Sequence, residues 1–294
     1  MKNNKGYPFF TVFAVSAAAT VLLLPLRIYQ YFKVLEPDTG FYDHKDFSVY
    51  LMYFLVAFIV VFGIATAFVS RKKFKRVDIS LTPVGGAVVY SAAAIGFVID
   101  AVNCVMNFLN VYNSYSSFSG VSMWSYVSKN GGSINMLQGV LAIVTAVYFF
   151  ALAVGSVLKK DVAPSLKSIA LCAPLWAVAR LLLRFQTKIS FTNVSDLLLE
   201  LLATVFLMLF LLAFAQTQSR VDKGESYWKM FGYGIPAAVF CLACFIPRAV
   251  LIIIGRSDLL CENYAADICD FTNAVLVIST LISRANVSPD NKKA

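Results

Sequence analysis

The stretch FSVYLMYFLVAFIVVFGIATAFVSRKKFKR, residues 47–76, decides what kind of protein this is. Its first part, Phe47–Ser70, contains no Lys, Arg, Asp or Glu. At about 1.5 Å per residue, such a run is long enough to cross the ~30 Å hydrocarbon core of a bilayer as a helix. It ends in RKKFKR, residues 71–76, where only Phe74 is uncharged. Lys and Arg concentrate in cytoplasmic loops, so this cluster anchors the following loop inside the cell.

The pattern repeats outward from there. Gly6–Leu26, Ile79–Ile99 and Asn130–Leu158 also lack charged residues. The chain of 294 residues is 59% hydrophobic and only 14% charged, with a mean hydropathy of +0.74. A soluble domain carries about a quarter charged residues. The fold class is therefore all-α, a polytopic helical membrane protein. Eight spans are expected, at 8–30, 47–70, 84–110, 136–158, 164–185, 194–216, 230–254 and 265–283. The fifth and eighth reach full length only if Arg180, Asp267 and Asp270 lie within the membrane.

With eight spans and the N-terminus inside, sixteen of the 25 basic residues fall in inner segments and seven at outer ends or loops. Arg180 and Arg248 fall within spans. Both termini are then cytoplasmic. The formal net charge of +9 reads as topology plus attraction to anionic lipid headgroups. No loop is long enough to form a nucleic-acid surface. The first apolar stretch runs straight into PLRIYQYF, residues 25–32, which favours an uncleaved first span over a signal peptide.

Features recur about 150 residues apart, which suggests a parallel four-plus-four tandem repeat. The halves would be residues 1–160 and 161–294, within one membrane domain. Gly86, Val89, Ala93, Gly96 and Asp100 align with Gly234, Ala237, Cys241, Cys244 and Arg248. At about 100° per residue each set lies on one narrow helix face. Small residues on a face let helix backbones approach closely in lipid. Each stripe ends at one charged residue, acidic in the third span and basic in the seventh.

Ionisable residues inside a span cost about 2.5–3.5 kcal/mol each on insertion scales and usually face an interior or a wet cavity. Here they fall at matching depths about the outer turns of successive hairpins. Arg180 is level with Glu200 and Arg184 with Asp196 in the fifth and sixth spans. Arg248 is level with Asp270 in the seventh and eighth, with Asp267 one turn further out. Arg27 against Asp46 is a fainter version. Asn193, Asp196, Glu200 and Thr204 share a face of the sixth span. Asp100, Asn103, Asn107 and Asn110 occupy one arc of the third. The candidate binding residues are therefore Asp100, Asn103, Asn107, Arg180, Arg184, Asp196, Glu200, Arg248, Asp267 and Asp270. They suggest a polar vestibule opening outward above a tightly packed inner floor.

His44 is the lone histidine and reads as a solvated loop residue. Trp124 and the loop NVYNSYSSFSGVSMWSYVSKNGGS, residues 110–133, read as interfacial. Cys104, Cys172, Cys241 and Cys244 read as packing residues; Cys261 and Cys269 would pair if their side is oxidising. No metal pattern, phosphate loop or nucleophile elbow occurs, so neither an enzyme nor a cofactor is expected.

Two functions remain open. One is a transporter for a small polar or charged solute, with the arginines holding an anionic group and Asp267, Asp270 or Glu200 taking a cation or proton. Asp100 would then face Arg248 across the pseudo-axis. The other is a receptor, sensor or partner-dependent subunit that binds an extracellular ligand without moving it. An apolar lining below Gly96 and Cys244 would count against transport. In its overall character, including LPLRIYQYFKVLEPDTGFY (24–42) and FTNVSDLLLELLATVFLMLFLLAFA (191–215), the chain resembles uncharacterised multi-pass membrane proteins of anaerobic Gram-positive bacteria. That resemblance implies a bacterial plasma membrane and assigns no functional residue.

Overall fold

A computed structural model describes residues 8–35, 42, 46–71, 82–115, 120, 122–186, 194–221, 226–260 and 266–285. His44, Cys261, Asn193 and the basic residues 72–76 lie outside the described residues. The described chain is helical apart from a single antiparallel bridge between Leu35 and Tyr42. The helices are α1 (Pro8–Lys33), α2 (Phe47–Ser70), α3 (Pro83–Asn113), α4 (Met123–Lys129), α5 (Gly132–Val157), α6 (Lys167–Ala170), α7 (Cys172–Gln186), α8 (Val194–Gln218), α9 (Ser226–Ile254) and α10 (Ile268–Ala285).

Seven helical segments are long and apolar enough to cross a membrane, as a polytopic membrane protein requires. They are α1, α2, α3, α5, the α6–α7 unit, α8 and α9. The expected eighth span falls on α10, which has 18 residues and is not among the seven. It therefore spans about 27 Å, just under the hydrocarbon thickness.

The fifth segment is broken in the middle. A 3-10 turn at Ala163–Leu166 leads into α6, and the helix restarts after Leu171. Pro174 has no backbone N–H to give the carbonyl of Ala170, which explains the break there. Pro25 in α1, and Pro236 and Pro247 in α9, each remove one hydrogen bond without interrupting the helix. The outer loop expected at 110–133 contains α4, capped by Ser122 and closed where Gly131 takes a left-handed φ of 81°. Trp124 on α4 is exposed and Val127 buried, the two-faced arrangement of an interfacial helix.

Six helices close a ring. In order around it, α3 packs on α5, α5 on α7, α7 on α8, α8 on α9, α9 on α10, and α10 returns to α3. The pair α1 and α2 sits outside this ring against α9. Large apolar side chains such as Phe47, Phe54, Val69, Ile95 and Phe150 stand exposed on the periphery, where lipid is their solvent. Lipid tails are as apolar as leucine, so the hydrophobic effect does little to join the helices. Close packing and buried polar contacts must do it.

Small residues supply the packing. At Gly96 a Cβ would lie 2.0 Å from Thr272 Oγ1, so α3 and α10 touch backbone to side chain. The stripe Gly86, Val89, Ala93, Gly96 and Asp100 is buried throughout, as is its counterpart from Gly234 to Arg248. The neighbours of the two stripes differ. The α9 stripe meets Phe210 of α8 and Val277 and Leu281 of α10 at Gly234. The α3 stripe faces α10 at Gly96, and α2, the helix preceding α3, packs on α9.

Candidate functional site

Each of the six ring helices places a charged or carboxamide side chain in one layer near the end of α10 that begins at Ile268. They are Asp100 (α3), Gln138 (α5), Arg180 and Arg184 (α7), Glu200 (α8), Arg248 (α9) and Asp270 (α10). All but Arg184 are buried. The contact of Gly96 with Thr272 sets the level. Four residues further along antiparallel helices, Asp100 stands beside the start of α10. Asn103, Asn107 and Asn110 therefore project beyond α10, and all three are exposed.

The ion pairs differ from those that the hairpin symmetry suggested. Arg180 faces away from Glu200. Its Nη1 and Nη2 donate to Asp270 Oδ1 and Oδ2 at 2.8 and 3.0 Å, a bidentate geometry, and Nη2 also lies 3.0 Å from Asp267 Oδ2. Arg184 pairs with Glu200 Oε2 at 2.9 Å, not with Asp196. Arg248 donates to Glu200 Oε1, not to Asp270. Asp196 takes Arg27 of α1 as its partner. Asp46 caps α2 by accepting from the backbone N–H of Ser48 at 2.7 Å. Counting residues from a turn assumes straight, equally tilted helices. The break before α7 and the prolines of α9 remove that condition.

Asp100 and Arg248 do not meet. Asp100 instead accepts from neutral donors: Trp176 Nε1 at 2.7 Å, and Gln138 Nε2 at 3.1 and 3.3 Å. The Cys104 thiol lies 3.9 Å from Asp100 Oδ2. Trp176 is fully buried, its ring edge-on to Phe97 with centroids 4.7 Å apart. It also carries the Arg180 guanidinium 5.5 Å from its centroid. One indole thus joins the acid, the arginine and the aromatic packing beneath.

A second cluster forms where α1 meets α8. Arg27 reaches Asp196, and Tyr31 donates its hydroxyl to the other carboxylate oxygen at 2.6 Å. Arg27 Nη1 donates to Gln30 Oε1 at 3.1 Å and to Tyr42. Its guanidinium stands 5.1 Å from the Tyr31 ring centroid. Burial is the main cause that pushes the Tyr42 phenol up to about 12, with Arg27 opposing and Asp196 reinforcing.

Arg184 and Asp267 are the partly exposed members of these pairs. Their side chains are 25% and 23% exposed. Below the layer the ring is packed with aromatic and small side chains, with the hydroxyls of Thr145, Tyr148 and Thr280 buried among them. Phe97, Phe149, Phe214 and Phe210 pack in sequence with centroids 5.5, 6.1 and 6.0 Å apart. Ala93, Ala237 and Cys241 are buried among the core residues of this half.

Sequence reading missed Gln138, Trp176, Tyr31 and Gln30. Three carried a signal: Gln138 is a carboxamide in an otherwise apolar span, Trp176 lies four residues before Arg180, and Tyr31 four after Arg27. Cys269 is buried, accepting from Asn273 Nδ2 at 3.3 Å. Among the described residues, no group of three His, Cys, Asp or Glu side chains is arranged to hold a metal ion. The chain matches no protein-family model, no curated protein and no solved structure among those compared with it.

Proposed function

We propose that this is a plasma-membrane solute carrier of eight spans with both termini in the cytoplasm, and that its charged layer is an outward-facing binding site. The distribution of basic residues supports that orientation, and the resemblance noted above supports a bacterial membrane. The single observation that carries the reading is the bridged Glu200. One carboxylate holds two arginines, Arg248 fully buried and Arg184 a quarter exposed. An incoming carboxylate can take Arg184 without stranding a buried charge, because Arg248 keeps Glu200. An ammonium group can approach Asp267, which is similarly accessible. A small zwitterion satisfies both, and the exchange replaces internal ion pairs with external ones at little net desolvation cost. The break before Pro174 is of the kind that gives transporters discontinuous helices at their sites. A tandem repeat would give the rocking halves.

A second reading, a receptor or sensor that binds without transport, is favoured by the aromatic floor. The stack from Phe97 to Phe210 packs the ring closely below Gly96, and close packing there counts against a passage.

One pair of measurements tests both. Purified full-length protein is screened by thermal unfolding against amino acids and short dicarboxylates, with Arg184→Ala as control. A ligand at a hundred times its dissociation constant stabilises by about 2.7 kcal/mol. Stabilisation by an amino acid that is lost in Arg184→Ala supports the site. Uptake of that amino acid into proteoliposomes makes the protein a carrier, and binding without uptake makes it a receptor. No stabilisation by any probe sinks the zwitterion site.

A further inference from the structure

Asp100 differs from the other acids of the layer. Glu200, Asp196, Asp267 and Asp270 each have an arginine at contact distance. Asp100 is 5% exposed and is held by an indole, a carboxamide and a thiol. The ionisable groups that face it are Cys104 on its own helix, Arg180 on α7, and Asp267 and Cys269 at the start of α10, with Asp270 on the far side of Arg180. From α5 it meets only the amide of Gln138. Three carboxylates therefore surround one guanidinium, and Arg180 is already engaged by Asp270 and Asp267. A buried carboxylate without a cation is costly in a low-dielectric interior, and such groups neutralise by binding a proton.

The amides of α5 supply an independent observation. Gln138 Oε1 and Asn135 Oδ1 are both buried acceptors without a hydrogen-bond donor. Their residues are 3% and 6% exposed. They lie three positions apart on one helix face, within side-chain reach of each other. With Asp100 ionised, Gln138 Nε2 is spent on the carboxylate and both oxygens are stranded, at about 1–3 kcal/mol each. A half-turn of the Gln138 amide resolves this if Asp100 carries a proton. Asp100 Oδ1–H then donates to Gln138 Oε1, Gln138 Nε2 donates to Asn135 Oδ1, and Trp176 Nε1–H still donates to Asp100 Oδ2.

We propose that Asp100 is a proton-binding site, and that the Gln138 amide turns over with its occupancy, pointing nitrogen at the carboxylate and oxygen at the acid. The proton is taken from water on the side where Asp267 is exposed and returns there; no other bond is made or broken. This does not depend on the solute reading, since the proton is held whether or not a second ligand binds.

The test is infrared difference spectroscopy on full-length protein reconstituted in lipid, with no solute present, across a pH titration in which circular dichroism stays helical. A protonated-carboxyl C=O band is expected that vanishes as pH rises and is missing in Asp100→Asn. In Gln138→Leu the acid loses its acceptor, so the band moves to higher frequency. Asn is nearly isosteric with the neutral acid, and Asp100→Asn is expected to melt within a few degrees of the unmodified protein. A band that persists in Asp100→Asn assigns the proton elsewhere and overturns the proposal, as does the absence of any band. If Asp100→Asn fails to fold, the Gln138→Leu shift decides: a band at unchanged frequency overturns it.

Discussion

Arg27 and Asp196 form a buried ion pair across 169 positions of sequence, joining α1 to α8. Both side chains are at most 2% exposed, and Tyr31 and Gln30 of α1 complete the cluster. The pair therefore fastens the outer α1–α2 layer to the ring. In lipid, where apolar surface gives helices no reason to associate, such a contact fixes which helices become neighbours.

Breaking one side of that pair leaves the other charge buried and alone. Arg27→Met and Asp196→Leu are each expected to cost about 3–5 kcal/mol, as one-sided removal of a buried partner does. The double variant Arg27→Met with Asp196→Leu removes both charges and is expected to recover most of that loss. Unfolding of the purified protein in detergent, with the two single variants as the other corners of the cycle, measures the coupling. Additive losses would show that the pair contributes no coupling.

Glu200 makes a graded prediction. Arg248, 3% exposed, and Arg184, 25% exposed, share its carboxylate. Solvent screens the Arg184 contact, so Arg184→Ala is expected to cost about 1 kcal/mol or less. Arg248→Ala leaves Glu200 without its buried partner and is expected to cost about 3 kcal/mol or more. Equal losses in a denaturant titration would mean that the two contacts do not differ as their burial requires.

The contact between α3 and α10 predicts a rescue. In Gly96→Ala the new methyl falls 2.0 Å from Thr272 Oγ1, and overpacking of this kind costs about 1–3 kcal/mol. Thr272→Ala removes the oxygen, leaving the Thr272 Cβ contact at 3.0 Å. The double variant is therefore expected to be more stable than Gly96→Ala alone. A Gly96→Ala protein as stable as the unmodified chain would show that the helices separate freely.

The helices and the burial of the Gly96 and Gly234 stripes were legible in the sequence because each depends on local composition and a 3.6-residue period. That Arg180, Glu200, Arg248 and Asp270 share a layer was legible too, since depth follows from distance to a turn. Which arginine took which acid was not. Arg180 reaches Asp270 across the ring and Arg27 reaches α8 from outside it, and both depend on the order of helices around α9, which no span length reveals. The asparagine arc of α3 was legible as a face, though not its neighbours. Asn103 shares a face with Gly96, but α10 begins at the level of Asp100 and does not itself reach Asn103. Gln138 and Trp176 went unread because a single polar atom in an apolar span declares no partner.

Tyr42, outside the helices, gives the alkaline limit of the Arg27 cluster. Its hydroxyl accepts from Arg27, and burial is the largest reason its phenol rises from 10.0 to about 12. Since the folded value is the higher one, the contribution of this group is fully present below pH 10. It falls as pH rises toward 12, because the unfolded chain releases the proton first. The loss over that window is expected to be on the order of 2 kcal/mol. Stability measured against pH for the unmodified protein and for Tyr42→Phe isolates the effect, since every other tyrosine titrates in both. The difference between the two curves should be constant below pH 10 and shrink above it. A difference that stays flat to pH 12 would mean that the phenol ionises alike in the folded and unfolded chains, and that the Arg27 cluster is open to water on the Tyr42 side.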